Sequence, residues 1–274
     1  MKIGFQGEKG AYSEMALMRH FGREVRSMGF SGFEDVFEAV VAGTVDAGFV
    51  PVENSIAGTV VENYDLLLAN DVRVTAEAYM EIRHTLLGIP GARLEDITHA
   101  FSHPHALNQC KGFLKSQGIR PQPTYDTAGA ARMLSETPRP DHAAIASELC
   151  ADIYRLDILC RDIQSNKSNT TRFFVVVRES ALPGGSPAEK TSIAFITRHY
   201  PGALVDCLSI FRDHRLNLTK LESRPVPENP WEYVFYTDFE GGIDDEAVGQ
   251  SLDKLKSQAL FVKVLGSYPK GNAE

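Results

Sequence analysis

The run Asn166-Lys167-Ser168-Asn169-Thr170-Thr171-Arg172-Phe173 sets hydroxyls, amides and cations side by side without an acidic residue, and it leads straight into the apolar Phe174-Val175-Val176-Val177. Strand formers after a polar segment place these donors where a loop meets a strand. In a chain with 36 acidic against 28 basic side chains, a carboxylate-free cluster of donors points to a pocket for a small anion. Asn and Ser also make ordinary turns before strands, so the segment takes its meaning from others like it.

Val50-Pro51-Val52-Glu53-Asn54-Ser55-Ile56-Ala57-Gly58-Thr59 is one. It reads as a strand ending at Val52, then polar side chains, then the start of a helix. Ligands of open α/β sheets sit at the carboxyl ends of strands, and a helix start offers free N–H groups to an anion. An ordinary turn capped by Asn54 or Ser55 is the plainer alternative. Ser102-His103-Pro104-His105-Ala106-Leu107-Asn108-Gln109-Cys110 repeats the plan, with Ser102 as cap and Asn108 or Gln109 facing a cleft. A metal reading of His99, His103 and His105 fails: Pro104 breaks helical spacing, and no carboxylate or cysteine completes the set. Gly4, Gly7 and Gly10 frame a third strand–turn–helix, spaced G-x-x-G-x-x-G rather than as a dinucleotide loop.

The elements that position these segments alternate. Strands are expected at Lys2-Gln6, Ala47-Val52, Val72-Ala76, Glu81-Leu87, Ile158-Ile163 and Phe173-Val177, with another ending at Ala100-Phe101 and a small apolar run at Ala143-Ala146. Helices are expected at Ser13-Phe21 (capped by Ser13), Phe33-Ala42, Thr59-Ala69, Ala106-Ser116 and Thr127-Leu134, with one more after Ala146. Such alternation implies α/β architecture, as an open sheet or two lobes flanking a cleft. Glu179 to Lys190 is rich in Pro, Gly and Ser and reads as a linker. Beyond it, strand Thr191-Thr197, helix Ala203-Arg212, strands Leu216-Pro225 and Trp231-Phe239, helix Glu246-Gln258 and strand Phe261-Ser267 give βαββαβ, the ferredoxin-like order. The boundaries fall at 1–180 for the first unit, 181–189 for the linker and 190–274 for the second.

A net charge of −8 argues against a general nucleic-acid partner, which a basic face would mark. No apolar run approaches membrane-spanning length. Met1-Lys2-Ile3-Gly4-Phe5 starts a strand and has no signal-peptide pattern, so a cytoplasmic location is expected. Cys110, Cys150, Cys160 and Cys207 are scattered and read as reduced, partly buried thiols.

Taken in order, Gly7-x-x-Gly10-x-Tyr12-Ser13, Glu53-Asn54-Ser55 after Val-Pro-Val, Ser102-His103-Pro104 with Gln109, and Asn169 before Thr171-Arg172-Phe173 resemble the prephenate dehydratases. Pro201-Gly202-Ala203-Leu204 and Glu222-Ser223-Arg224-Pro225 are similar to the paired motifs of that family's ACT domain. The resemblance spans essentially the whole chain. It implies a bilobal catalytic domain like the type II periplasmic binding proteins, followed by a ferredoxin-like ACT regulatory domain. It also implies catalysis by Thr171 with Asn54, Ser102, Gln109 and Arg172, and substrate binding by Ser55, Asn108, Asn166 and Phe173. L-phenylalanine would inhibit from a site between the ACT domains of two subunits, drawing on Gly202, Ala203, Leu204, Asn217, Leu218, Glu222, Ser223, Arg224 and Pro225. A homodimer or dimer of dimers (a homotetramer) follows.

Prephenate carries two carboxylates and a ring hydroxyl. Losing carbon dioxide and the hydroxyl makes an aromatic ring, so the step needs charge complementarity and help for a poor leaving group. It needs no nucleophile, metal or organic cofactor. Arg172 is expected to take a carboxylate in a forked pair, with Asn54, Ser55, Ser102 and Gln109 as neutral donors. Thr171 is expected to donate to the departing hydroxyl, aided by nearby cations, as a polarising donor or relay rather than a full acid. An ionised carboxylate beside a substrate carboxylate would repel it, so Glu53 is expected to turn away and bond to backbone. For the regulatory unit, Gly202 is expected to allow close backbone approach, while Leu204 and Leu218 also suit plain core packing. Arogenate, with an ammonium in place of the keto group, is the alternative substrate, and an extra acid near the cleft would favour it. A non-catalytic amino-acid sensor is the reading from another class.

Overall fold

The strands and helices follow from alternating and 3.6-residue apolar periods. The computed structural model describes residues 1–182, 187–226 and 229–271. The middle of the expected linker, residues 183–186, lies outside the described residues. In chain order the first half holds β1 (Lys2–Gln6), α1 (Tyr12–Phe21), β2 (Arg26–Phe30), α2 (Phe33–Val41), β3 (Ala47–Asn54), β4 (Gly58–Thr59), α3 (Val61–Ala69), β5 (Val72–Glu81), β6 (Thr85–Gly88) and β7 (His99–Ser102). It continues with α4 (Pro104–Gln109), α5 (Lys111–Ser116), β8 (Arg120–Pro123), α6 (Thr127–Glu136), β9 (His142–Ala146), α7 (Leu149–Tyr154), β10 (Asp157–Cys160) and β11 (Thr170–Arg178). The C-terminal unit contains β12 (Lys190–Ile196), α8 (Ala203–Asp213), β13 (Leu218–Val226), β14 (Asn229–Glu240), α9 (Glu246–Gln258) and β15 (Phe261–Tyr268).

Among the described residues the strands form two sheets. The smaller runs β10-β6-β9-β7-β8, and the larger runs β13-β14-β12-β15-β5-β11-β3-β1-β2 with β4 on β3. Within the larger sheet, β13-β14-β12-β15 with α8 and α9 is the ferredoxin-like arrangement expected from the βαββαβ order. Its sheet is continuous with that of the first unit through a single parallel register pair, Gly266 to Val74. The chain passes between the sheets after β5 and returns before β11. These crossings bond to one another, Ile82 N to Asn169 O at 2.6 Å and Ile163 N to His84 O at 3.1 Å.

Apolar faces fix this layering. Phe49 on β3 and Phe173 on β11 stack at 4.9 Å within the core shared with α1, α6 and α7. The opposite face of the same sheet buries Val50, Phe174, Tyr64 and Tyr236. Period-2 alternation along β3 and β11 therefore divides their residues between a face toward the small sheet and a face toward the C-terminal unit.

Some helix boundaries differ from expectation for identifiable reasons. Ser13 does not cap α1; Ala11 occupies that position without a side-chain bond. The expected helix over Ala106-Ser116 is split at Cys110 into α4 and α5, and α4 starts at Pro104, whose missing N–H costs nothing in a first turn. Its cap is His103, accepting from His105 N, rather than Ser102. Gly58-Thr59 pairs back onto β3 instead of beginning α3. All four cysteines are free thiols, and Cys110, Cys150 and Cys207 are buried.

Candidate active site

Between the two sheets lies a cavity of about 360 Å³, lined by residues from both and from the crossings. The ends of β1, β3 and β7 open toward it, bringing Gln6, Asn54 and His103 to its wall, joined by Asn169 just before β11 and by Thr171 and Phe173 on it. Strand ends converging from two sheets explain why the polar segments of the sequence meet here.

Asn54 is the best-fixed group. Its Oδ1 accepts from the backbone N–H groups of Ile56 and Ala57 at 3.0 and 2.9 Å, which settles which end of the amide is oxygen. Its Nδ2 then donates to Asn169 Oδ1 at 2.7 Å and to Thr171 Oγ1 at 2.9 Å. Because Thr171 Oγ1 accepts there, its own proton is left for another acceptor, and Thr171 lines the cavity.

The polar chain continues. Asn169 Nδ2 donates to Gln109 Oε1 at 3.2 Å, and Gln109 Oε1 lies 2.5 Å from His84 Nε2. His84 Nδ1 is 2.7 Å from the Tyr12 hydroxyl, and Gln109 Nε2 is 2.9 Å from His105 Nε2. An acceptor-only Gln109 oxygen requires the proton of His84 on Nε2, so its Nδ1 accepts from Tyr12. Burial lowers the His84 pKa, which keeps it neutral, although the Gln109 bond works the other way. Burial raises the Tyr12 pKa well above its usual value, with the Cys150 and Cys110 thiols adding to it, so Tyr12 stays a donor. His84 and Tyr12 are the residues that sequence reasoning did not assign. Tyr12 lies within a quoted motif, whereas His84 sits in a short crossing with no pattern of its own.

Among the expected site residues, Asn54, Gln109, Thr171 and Phe173 line the cavity. Arg172 does not. It follows Thr171 on a strand and so points to the opposite face. Its Nη1 meets Asp238 Oδ2 at 2.5 Å and its Nε meets Glu77 Oε2 at 2.7 Å. Burial opposes the Arg172 charge, but Asp238, Tyr268, Tyr64 and Glu77 outweigh it and raise its pKa. The expected fork onto a substrate carboxylate is therefore committed elsewhere. The described residues lining the cavity include no Arg or Lys, so the cations expected beside Thr171 are also missing.

Ser102 is fully buried, its hydroxyl donating to Ile145 O at 2.6 Å, a β7–β9 link rather than a cleft donor. Ser55 Oγ takes the Thr170 N–H at 3.0 Å and donates to Ser168 O at 3.0 Å, tying down the start of β11. Asn108 is exposed and off the cavity, and exposed Asn166 accepts from Ser168 N at 2.9 Å within its own turn. Glu53 does turn away from the cleft, but its partner is Lys220 Nζ at 3.3 Å rather than backbone.

His99 also has a different environment from that of His103 and His105. It groups with Asp141 and His142, their ligand atoms within 4.8 Å of one another. Nitrogen and oxygen donors about 2.1 Å from one tetrahedral ion lie roughly 3.4 Å apart. The His142–Asp141 pair stands at 3.9 Å, and Arg139 lies 3.6 Å from Asp141. Thr98 Oγ1 lies 2.8 Å from His99 Nδ1 and 3.2 Å from Asp141 Oδ2, so hydrogen bonds through Thr98 tie two of the three groups together.

In the C-terminal unit, Gly202, Ala203 and Leu204 line a second cavity of about 580 Å³ at the start of α8. Gly202 has a left-handed backbone, φ 90°, which glycine adopts freely, and a Cβ there would meet no atom of this chain within 4 Å. The other expected effector residues lie apart from this cavity. Leu218 packs against the unit's core, and Asn217 donates to Glu240 at 3.0 Å. Along β13, Glu222 and Arg224 face the first unit, meeting Thr59 at 2.8 Å and Asp65 at 2.7 Å, while Ser223 and Pro225 are exposed.

Residues 3–181 match the family model described as prephenate dehydratase. The chain belongs to the prephenate dehydratase family. Arogenate dehydratase/prephenate dehydratase 2, chloroplastic, from Arabidopsis thaliana is 39% identical over 98% of this chain and 73% of its own length. The structure of prephenate dehydratase from Arthrobacter aurescens in complex with L-Phe superposes with TM-score 0.90 at 32% identity, covering 98% of this chain and 90% of that one. A structure described as GqqA, a novel type of quorum quenching acylase, has TM-score 0.91 and 33% identity, each chain being 98% covered. No helix among the described residues is long and apolar enough to cross a membrane.

Proposed function

We propose that this member of the prephenate dehydratase family converts prephenate to phenylpyruvate, carbon dioxide and water, in phenylalanine biosynthesis and in the cytoplasm. The observation that carries the reading is the Asn54–Thr171 bond, which turns the threonine proton outward in a cavity of small-molecule size. As the ring carboxylate leaves, its C–C electron pair flows into the ring. The ring hydroxyl departs with the C–O pair and takes a proton as water. Thr171 donates to that oxygen, and Asn54 stabilises the charge that builds on Oγ1. Gln109, Asn169, neutral His84 and Tyr12 hold this donor line, so little reorganisation is needed as charge develops. With no Arg or Lys on the lining, the substrate carboxylates meet amides and the start of α1, which no side chain caps.

L-phenylalanine acts as feedback effector on the C-terminal unit, read as an ACT domain. The complex of the Arthrobacter aurescens relative supports this, as does the cavity beside Gly202. β13 ends the large sheet, so its edge is open to a second copy and a homodimer or dimer of dimers. One observation favours arogenate as a second substrate: Asp126 lines the cleft, and a carboxylate there suits an ammonium. The test is phenylpyruvate formation from prephenate and phenylalanine formation from arogenate, each with and without added L-phenylalanine. Prephenate turnover suppressed by phenylalanine is expected; turnover of neither substrate would overturn the reading.

A further inference from the structure

Arg172 neighbours the proposed proton donor yet faces away from it, into a buried ionic cluster assembled from both units. Its Nη2 donates to the Tyr268 hydroxyl at 3.1 Å, and its guanidinium lies 4.7 Å over the ring of Phe174. Asp238 Oδ1 accepts from Ser192 Oγ at 2.6 Å, and Ser192 Oγ lies 2.5 Å from the Tyr268 hydroxyl. Glu77 also takes Lys190 Nζ at 3.1 Å and the Gly271 N–H at 3.0 Å. Arg172 and Glu77 come from the first unit; Asp238, Lys190, Ser192 and Tyr268 come from the second. Two cations face two carboxylates, all with side chains no more than 6% exposed; Arg172 and Glu77 pair within the first unit, whereas Asp238 and Lys190 of the second meet these ionic partners only while both units are docked.

The register of β11 against β3 shifts between Arg172 and Phe173, beside the clamped guanidinium. On the far side of that irregularity Thr171 stands opposite Asn54, the pairing that makes their 2.9 Å bond. A bulge re-aims side chains and has to be held by its surroundings. Backbone contact between the units cannot do this alone, since the sheets join through one register pair, Gly266 to Val74.

We propose that Arg172 is a positioning residue: clamped by Glu77 and by Asp238 and Tyr268 of the C-terminal unit, it fixes the bulge that holds Thr171 opposite Asn54, so the C-terminal unit completes the active site. The inference rests on the dehydratase reading for its kinetic part. A shift of β14 against β11, such as an effector on the C-terminal unit would cause, reaches Thr171 through the Arg172 side chain.

The experiment uses the full chain with Asp238→Asn, which keeps shape and removes the charge that Arg172 grips, and Tyr268→Phe, which removes the hydroxyl's bonds to Arg172 and Ser192 without stranding a charge. Prephenate kinetics and hydrogen exchange of the amides of residues 168–172 are measured on each. A misplacement of about 1 Å can cost on the order of 100-fold in rate. Asp238→Asn is therefore expected to lower kcat at least about tenfold with KM within roughly threefold, and to speed exchange of those amides about tenfold. Tyr268→Phe is expected to move both in the same direction by about threefold, and it decides the matter if Asp238→Asn does not fold. Unchanged kcat and exchange would overturn the proposal, as would a raised KM at constant kcat. If the unaltered protein does not turn over prephenate, the functional reading fails while exchange still decides whether the clamp orders the Thr171 strand.

Discussion

Asn54 Nδ2 lies 2.9 Å from Thr171 Oγ1, and the amide cannot turn over because Ile56 and Ala57 hold its oxygen. The pairing fixes the direction of the threonine proton. Thr171→Ala is expected to lower turnover by about 100-fold or more, the scale of losing one catalytic donor. Asn54→Asp should be nearly as damaging despite its identical shape. A carboxylate would accept the Thr171 proton and turn the donor away from the cleft. Phenylpyruvate formation by both variants checks this, and near-normal turnover in either would show the pairing to be incidental.

His84 gives the cleft an acid limit. Burial lowers its pKa below the ordinary histidine value of 6.5. The unfolded chain then binds this proton more readily than the folded one. Stability is therefore complete above the unfolded pKa and is lost as pH falls through the lower, folded pKa. Protonation would also replace the Nδ1 acceptor that meets Tyr12 with a second donor. Activity is expected to fall on the acid side of pH 6.5, and His84→Gln should flatten that limb while lowering the plateau. A pH profile of kcat/KM for both proteins, with thermal melts alongside, is the check.

Much of this arrangement was legible in the sequence. The polar segments after Val52 and before Phe173 do converge on one cavity, and the βαββαβ order of the second unit is observed. Two of the strands not expected from the sequence, Arg26–Phe30 and Arg120–Pro123, each end a sheet. An edge strand is not buried on alternate residues, and the latter tolerates two prolines because one side of it is unpaired. Arg172 is a different kind of miss. The parity rule that sends Thr171 into the cleft sends its neighbour out, and the sequence contains that information. Nothing in the sequence announces that Asp238 joins Glu77 on the other face, because Asp238 reaches it only when the two units dock.

Ser102 is expected to matter for stability more than for chemistry. Its hydroxyl, fully buried, serves the Ile145 carbonyl at 2.6 Å. Ser102→Ala leaves that carbonyl short of one partner, at a cost of about 1 kcal/mol. Thermal or urea unfolding should register the loss, with kcat falling far less than in Thr171→Ala. A loss of turnover equal to that of Thr171→Ala, in a variant of unchanged stability, would instead make Ser102 a cleft donor.

Asp126 separates the two substrates. One of its carboxylate oxygens, Oδ1, accepts the Gly129 N–H at 3.0 Å and caps α6, while the residue lines the cleft. Its negative charge works against a second substrate carboxylate and in favour of an ammonium. Asp126→Asn keeps the acceptor oxygen for the cap and removes the charge, so the helix start is preserved. The variant should then hold or improve kcat/KM on prephenate, by up to about tenfold for roughly 1.4 kcal/mol of relieved repulsion, and should lose a comparable factor on arogenate. The ratio of the two specificity constants, measured before and after the substitution, is the informative quantity. A ratio that does not move would mean that Asp126 faces neither end of the substrate side chain, and discrimination would then have to come from the amides and from the start of α1.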